Sequence, residues 1–127
     1  MHDISIIATA KVNPSEDVKK IVHAIKNVIN NPDIKIDDNN VIATSEGKQG
    51  LMLVREQCIR REVLGVLKRI LLEHLIDDHT WFYVNKQAAY AGIIAICEDE
   101  RESPLGPIKV EIKAKDIDGL IEWLTRF

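Results

Sequence analysis

The sequence lacks any excess of positive charge. Seventeen Lys and Arg stand against 20 Asp and Glu, a formal net charge of −3. No whole-molecule field draws in nucleic acid or an anionic membrane, so any such binding needs a local patch. Cysteine is equally sparse. Cys58 and Cys97 have no nearby Cys partner, which excludes zinc ribbons and CxxC redox motifs. Both read as small buried hydrophobes in a reducing compartment. No apolar run approaches the roughly 20 residues of a membrane span. The start, Met1-His2-Asp3-Ile4, has no basic region and its apolar run breaks at Thr9 and Lys11, unlike a signal peptide. The expected location is the cytoplasm, without membrane contact. Repeats, low-complexity tracts and linkers are missing too, so the 127 residues are expected to form a single domain, 1–127.

What is present is ordinary for a folded domain: 46% hydrophobic and 29% charged residues, enough to bury a core without staples. Residues 4–12 alternate, with Ile4, Ile6, Ala8, Ala10 and Val12 on one side and Ile7 the exception, which predicts a half-buried strand. Asn13, Pro14 and Glu16 carry the signature of a capping box, and Val18, Ile21, Val22, Ile25, Val28 and Ile29 form a helical stripe ended by Asn30-Asn31-Pro32. Two short extended runs flank Asp37-Asp38-Asn39-Asn40 and predict a hairpin. Residues 51–76 read as a short helix followed by a longer one, with Gly65 marking a bend or close packing. Strands are expected at 81–84, 91–97 and 108–113, and a last helix begins at Asp116. The order is β-α-β-β-α-β-β-β-α. The fold class is α+β, two-layered, with a mostly antiparallel sheet and helices on one face.

Four places carry candidate chemistry. The 51–76 region holds Arg55, Arg60, Arg61, Lys68 and Arg69. This is either a phosphate-contacting ridge or a solvated helix face with i,i+4 pairs. Trp81-Phe82-Tyr83 contains half of the six aromatic residues. Alternation sets Trp81 and Tyr83 together. On an open sheet face they would stack unpaired bases, with Lys11, Lys109 and Lys113 near phosphates; under helices they would be core. His74, Asp77, Asp78 and His79 form a His/carboxylate cluster at a predicted helix end, where polar residues gather anyway; no metal site is assigned. Glu98-Asp99-Glu100-Arg101-Glu102 is an acidic run, either a solvated loop or an edge that repels nucleic acid. No phosphate loop, GxSxG, HExxH or kinase signature is present, and spacing singles out no catalytic residues, cofactor or small-molecule substrate.

Two motifs remain. Asn85-Lys86-Gln87-Ala88-Ala89-Tyr90-Ala91-Gly92 offers an amide, an ammonium and a second amide at a strand end, followed by small residues that permit close approach. Glu102-Ser103-Pro104-Leu105-Gly106-Pro107-Ile108 is a stiff turn. Either they bind something or they hold one loop against the other. Together, at this separation, they resemble an uncharacterised archaeal family of predicted RNA-binding proteins, across nearly the whole chain. That resemblance implies a fold like the large-subunit ribosomal protein that binds five-S ribosomal RNA, an archaeal source and an RNA ligand. It implies no catalytic residues.

The leading expectation is thus a non-catalytic RNA-binding or ribonucleoprotein-associated domain, with Arg60, Arg61, Lys68, Lys86 and Gln87 as contacts. Asn85, Ser103, Pro104, Gly106 and Pro107 belong to the structural or binding motif. The alternative is a protein-interaction module that closes an open sheet face or edge with a second copy, as a homodimer.

Overall fold

The computed structural model describes residues 3–127. Met1 and His2, half of the segment read above as free of signal-peptide character, lie outside the described residues. Six strands form one sheet: β1 (Ile4–Lys11), β2 (Asp33–Asp37), β3 (Asn40–Glu46), β4 (His79–Val84), β5 (Ile96–Cys97) and β6 (Ile108–Ala114). Their spatial order is β2-β3-β1-β6-β4-β5, and every neighbouring pair is antiparallel. The β2–β3 hairpin turns at Asp38, which takes a positive φ of 55°, the conformation that Asp and Asn tolerate best after Gly.

Strand alternation decides what each face of the sheet does. Ile6, Ala8 and Ala10 of β1, Val41 and Ala43 of β3, Phe82 and Val84 of β4, and Ile108, Val110 and Ile112 of β6 are all buried. Helices α1 (Val18–Lys26), α2 (Met52–Arg60), α3 (Leu64–Glu73) and α5 (Ile117–Thr125) supply the facing stripes, including Ile21, Ile25, Leu67, Leu71, Leu120 and Leu124. Burying one such aliphatic side chain is worth about 1.5–3 kcal/mol relative to leaving it in water. The opposite face carries Ser5, Ile7, Thr9 and Lys11 from β1 and Lys109, Glu111 and Lys113 from β6. No helix among the described residues covers it, and Ile7 stays 38% exposed there. The α+β class, the antiparallel sheet and the one-sided helix layer are those expected.

Several local expectations change. The segment 91–97 is not a continuous strand; only Ile96–Cys97 pairs. Ahead of it runs a five-residue helix, α4 (Lys86–Tyr90). Asn85 caps α4 by accepting from the Ala88 N–H, and Gly92, at φ 86°, closes it while the Ile93 N–H donates to the Ala88 carbonyl. The bend in the 51–76 region lies at Glu62, φ 57°, not at Gly65. Asp17, not Asn13, caps α1, accepting from the Lys19 N–H.

Cys58 and Cys97 are both free and buried. Burial pushes each thiol up to about 11; Arg61 partly offsets this at Cys58, and the Glu102 carboxylate adds to it at Cys97. Because the thiolate is the reactive form, neither cysteine is expected to react with a thiol-specific alkylating reagent at pH 7 until denaturant unfolds the chain. Mass spectrometry of the native protein and of a urea series checks this.

Candidate functional site

The two motifs meet around one ammonium. Lys86, the first residue of α4, is 2% exposed. Its Nζ donates to the Lys11 carbonyl (2.8 Å), the Leu105 carbonyl (2.9 Å) and Glu16 Oε1 (2.9 Å). An ammonium has three N–H donors, so none is left over. Glu16 Oε1 also accepts from the Asn13 backbone N–H (2.9 Å) and from Asn13 Nδ2 (2.7 Å). Only half of the expected capping box forms: the Glu16 carboxylate reaches back to the Asn13 N–H, but the Glu16 N–H donates to the Asn13 backbone carbonyl (2.9 Å) and not to its side chain, in a turn one step upstream of α1 that Lys86 draws inward. Burial pushes the Glu16 carboxyl up, yet the Asn13 and Lys86 donors outweigh it and hold the group below its ordinary value of 4.5.

The 103–107 turn completes this latch. Leu105 sits at φ 68°, an unfavourable conformation for a branched residue. That geometry turns its carbonyl inward, toward both Lys86 Nζ and Asn13 Nδ2 (2.8 Å). Ser103 Oγ accepts from the Lys86 backbone N–H (3.1 Å) and donates to the Gly106 carbonyl (2.9 Å). Gln87 Nε2 donates to the Pro104 carbonyl (2.8 Å), and Asn85 Nδ2 reaches the Glu102 carbonyl (3.4 Å). Pro107 leads the chain directly into β6.

The residues named as RNA contacts are not brought onto one surface. Lys86 is inside and its donors are spent, so it has none for a phosphate; Gln87 is exposed beside it. On the helices, Arg60 is exposed and makes no side-chain hydrogen bond or ion pair among the described residues. Arg61 Nη1 donates to the Ile94 carbonyl (2.7 Å), Lys68 Nζ lies 3.5 Å from Glu122, and the neighbouring Arg69 bridges Glu73 and Glu98. The His/carboxylate cluster is dispersed. The His74 ring lies flat on Trp81, its Nδ1 2.8 Å from the Trp81 carbonyl, while His79 lies 3.5 Å from Glu111. Among the described residues no group of three or more His, Cys, Asp or Glu could hold a metal ion.

On the uncovered sheet face, lysines of β1 and β6 lie near the aromatic rings of β4, with the carboxylates Glu46, Asp33 and Asp37 farther off on β3 and β2. Phe82 is core, while Trp81 and Tyr83 lie half-buried on the helix-free side, the open-face alternative for the pair. Their centroids are 4.9 Å apart. Register places Lys109 opposite Tyr83 and Thr9, Glu111 opposite Trp81 and Ile7, and Lys113 opposite His79 and Ser5. Lys109 Nζ sits 4.8 Å from the Trp81 centroid and 3.9 Å from Glu111. Lys11 and Lys113 are exposed and form no salt bridge among the described residues. Burial, together with the Glu100 and Asp99 carboxylates, pushes the Tyr83 phenol up, so the acidic run borders this face at the β5 edge.

Removing one partner of a buried ion pair typically costs about 3–5 kcal/mol. Lys86→Met is expected to lower unfolding stability by that amount, and Arg60→Ala by less than about 0.5 kcal/mol; urea titrations compare them. Glu16 has a lowered carboxyl pKa in the fold. Its stabilisation is therefore complete above the ordinary value of 4.5 and disappears as pH falls through the lowered one. The stability gap between the parent and Glu16→Gln should be widest near pH 7 and close on acidification.

Comparison with known proteins agrees with this architecture. Residues 5–114 match the family model described as RNA binding. A UPF0201 protein of Sulfurisphaera tokodaii is 37% identical over 124 residues, covering 94% of this chain and 86% of that protein. One from Methanothermobacter thermautotrophicus is 39% identical over 116 residues, covering 91% and 86%. The crystal structure of a UPF0201 protein from Methanococcus jannaschii superposes with a TM-score of 0.82 at 27% identity, covering 95% of this chain and 98% of that one. No helix among the described residues is long and apolar enough to cross a membrane. The chain thus shares its fold with these proteins and belongs to the archaeal UPF0201 family, and it matches the family model described as RNA binding.

Proposed function

We propose that this protein is a non-catalytic RNA-binding domain that lays single-stranded RNA across the uncovered sheet face. It acts in the cytoplasm, where its two unpaired thiols stay reduced. One observation carries the reading: Trp81 and Tyr83 sit side by side on a face that no helix among the described residues covers, and β1 and β6 there present Lys11, Lys109 and Lys113 beside Glu111, while the other charges of that face, Glu46 of β3 and Asp33, Lys35 and Asp37 of β2, lie on the far side from the aromatic pair. The Trp81 ring is already occupied by His74 and Lys109, so Tyr83 offers the freer stacking surface. Base–aromatic stacking is worth about 1–3 kcal/mol per base and tolerates any sequence. The lysines supply the phosphate term, and the acidic run at the β5 edge steers the strand away from that side. The helix ridge fits this role less well, because Arg61, Lys68 and Arg69 already have partners within the protein.

Three phosphate contacts to a single strand predict a log–log salt slope of about −2. The triple change Lys11→Ala/Lys109→Ala/Lys113→Ala should flatten that slope, and Tyr83→Ala should weaken an oligouridine by roughly fivefold or more. Arg60→Glu/Arg61→Glu should bind like the parent. Fluorescence anisotropy across a salt series reads all three; loss confined to the arginine pair would move the site to the helices.

A second reading rests on the β2 edge. Ile36 is 55% exposed on this outermost strand. Pairing two copies antiparallel about Ile36 would set Lys35 opposite the second copy's Asp37, twice over. In this reading light scattering gives a dimer at micromolar concentration and Ile36→Lys converts it to a monomer; a monomeric parent removes it.

A further inference from the structure

The motif residues also wall a cleft that the sheet face does not use. It encloses about 310 Å³ between the start of α1 and α4, with the 103–107 turn as its lip. That volume is at the lower end of small-molecule pockets, about 300–1,000 Å³. Ile21 and Ala24 form an apolar floor, and Tyr90, 45% exposed, offers a ring. His23 packs edge-on against that ring at 5.3 Å, and Lys20 Nζ stands 5.8 Å from its centroid.

Two carboxylates set the chemistry. The Glu16 side chain is only 11% exposed, and all its hydrogen bonds are made by Oε1. No side-chain nitrogen or oxygen among the described residues is both wholly buried and unpartnered. Oε2 therefore reaches solvent, and the space that Glu16 lines is this cleft. Asp17 stands next to it, with only Oδ1 engaged in capping α1. The site thus offers an aromatic plate, acceptor oxygens along one wall and the Lys20 ammonium as a donor.

A ligand matching this needs a flat ring with adjacent N–H donors beside a carbonyl acceptor. Among the four RNA bases only guanine places two such donors, N1–H and the 2-amino group, next to a carbonyl, O6. Adenine would turn its N1 lone pair, and uracil its carbonyls, toward the carboxylates. We propose that the cleft is a guanine subsite: the base stacks on Tyr90, donates to Glu16 and Asp17, and receives Lys20 at O6. Reading an unpaired base by stacking and by its Watson–Crick edge is the usual logic of such pockets. Where the guanine belongs to RNA, the inference rests on the sheet-face reading, and Lys11 connects the two. Its carbonyl accepts from Lys86 beneath the cleft, while its side chain is on the open face.

The test titrates the full-length chain with GMP, IMP and AMP at millimolar concentration, followed by amide NMR shifts and calorimetry. GMP should shift the resonances of Lys20, Gln87 and Tyr90. IMP, which lacks only the 2-amino group, should bind about tenfold more weakly, because a site built around that donor leaves its carboxylate unpaired. AMP should bind no better than IMP. Tyr90→Ala should lose about tenfold in GMP affinity, and Lys20→Ala should narrow the GMP preference over AMP; neither residue is in the latch, so both variants stay folded. Equal affinity for GMP and IMP, shifts elsewhere, or no GMP binding overturns the proposal. An oligouridine arm separates the two readings. GMP binding without oligouridine binding keeps the cleft as a free-nucleotide site and removes the sheet-face reading. Oligouridine binding without GMP binding does the reverse.

Discussion

The buried Lys86 ammonium is the constraint on which the rest of this architecture depends. Alone in a low-dielectric interior, such a charge is intolerable, and several kcal/mol of lost hydration must be offset by geometry. The offset comes from three parts of the chain that are remote from Lys86 in sequence: the end of β1 and the turn before α1, five residues apart, and the turn before β6. Each contributes one acceptor, so the ammonium fixes where α1 begins, where α4 sits and how the chain enters β6. The strained Leu105 backbone makes sense only within this network. Its left-handed conformation aims a carbonyl at the charge.

Much of the fold was legible in the sequence because it follows from period and punctuation. Alternation at 4–12 and 108–113, the Asp/Asn turn at 37–40 and the Asp116 cap all translated directly into β1, β6, the β2–β3 hairpin and α5. What failed was the stretch after β4. Ala88, Ala89 and Ala91 favour helix, Asn85 is a strong N-cap and Gly92 a strong C-terminal stop, yet the apolar run through Ile93, Ile94 and Ile96 masks them. A five-residue helix is too short to show a period, so only its end signals could have revealed α4. Lys86 misled for a related reason. In sequence a lysine reads as a surface charge, and nothing nearby announces the three distant acceptors. Glu16 was recognisable as the partner of Asn13, though not as the counterion of Lys86.

The open face shows how an acidic protein can still offer a cation-bearing surface. Polar residues alternate out of β1 and β6, so their lysines fall on one side by strand geometry alone, while the carboxylates of 98–102 collect at one edge. The placement of Trp81 and Tyr83 followed from the same alternation once Phe82 was buried. Which of the two faces lay under the helices depends on strand order, and strand order is a long-range property that local pattern does not encode. The His74 ring has a further part here. It stacks on Trp81 and engages its carbonyl, which shields backbone of β4 beyond the short reach of β5.

The strand order also carries a consequence for how the molecule is made. The sheet's middle seam joins β1 to β6, Ile4 facing Ala114, so the interior of the sheet is closed by segments about 100 residues apart. A nascent chain emerging from the ribosome can form the β1–β3 and β2–β3 pairings early, but half of β1's hydrogen-bonding edge stays open until the last strand arrives. Until then Ile6, Ala8 and Ala10 lack their neighbours across the seam. Completion of the hydrophobic layer accordingly waits for β6, and loss of that strand would expose the centre of the sheet rather than trim its margin.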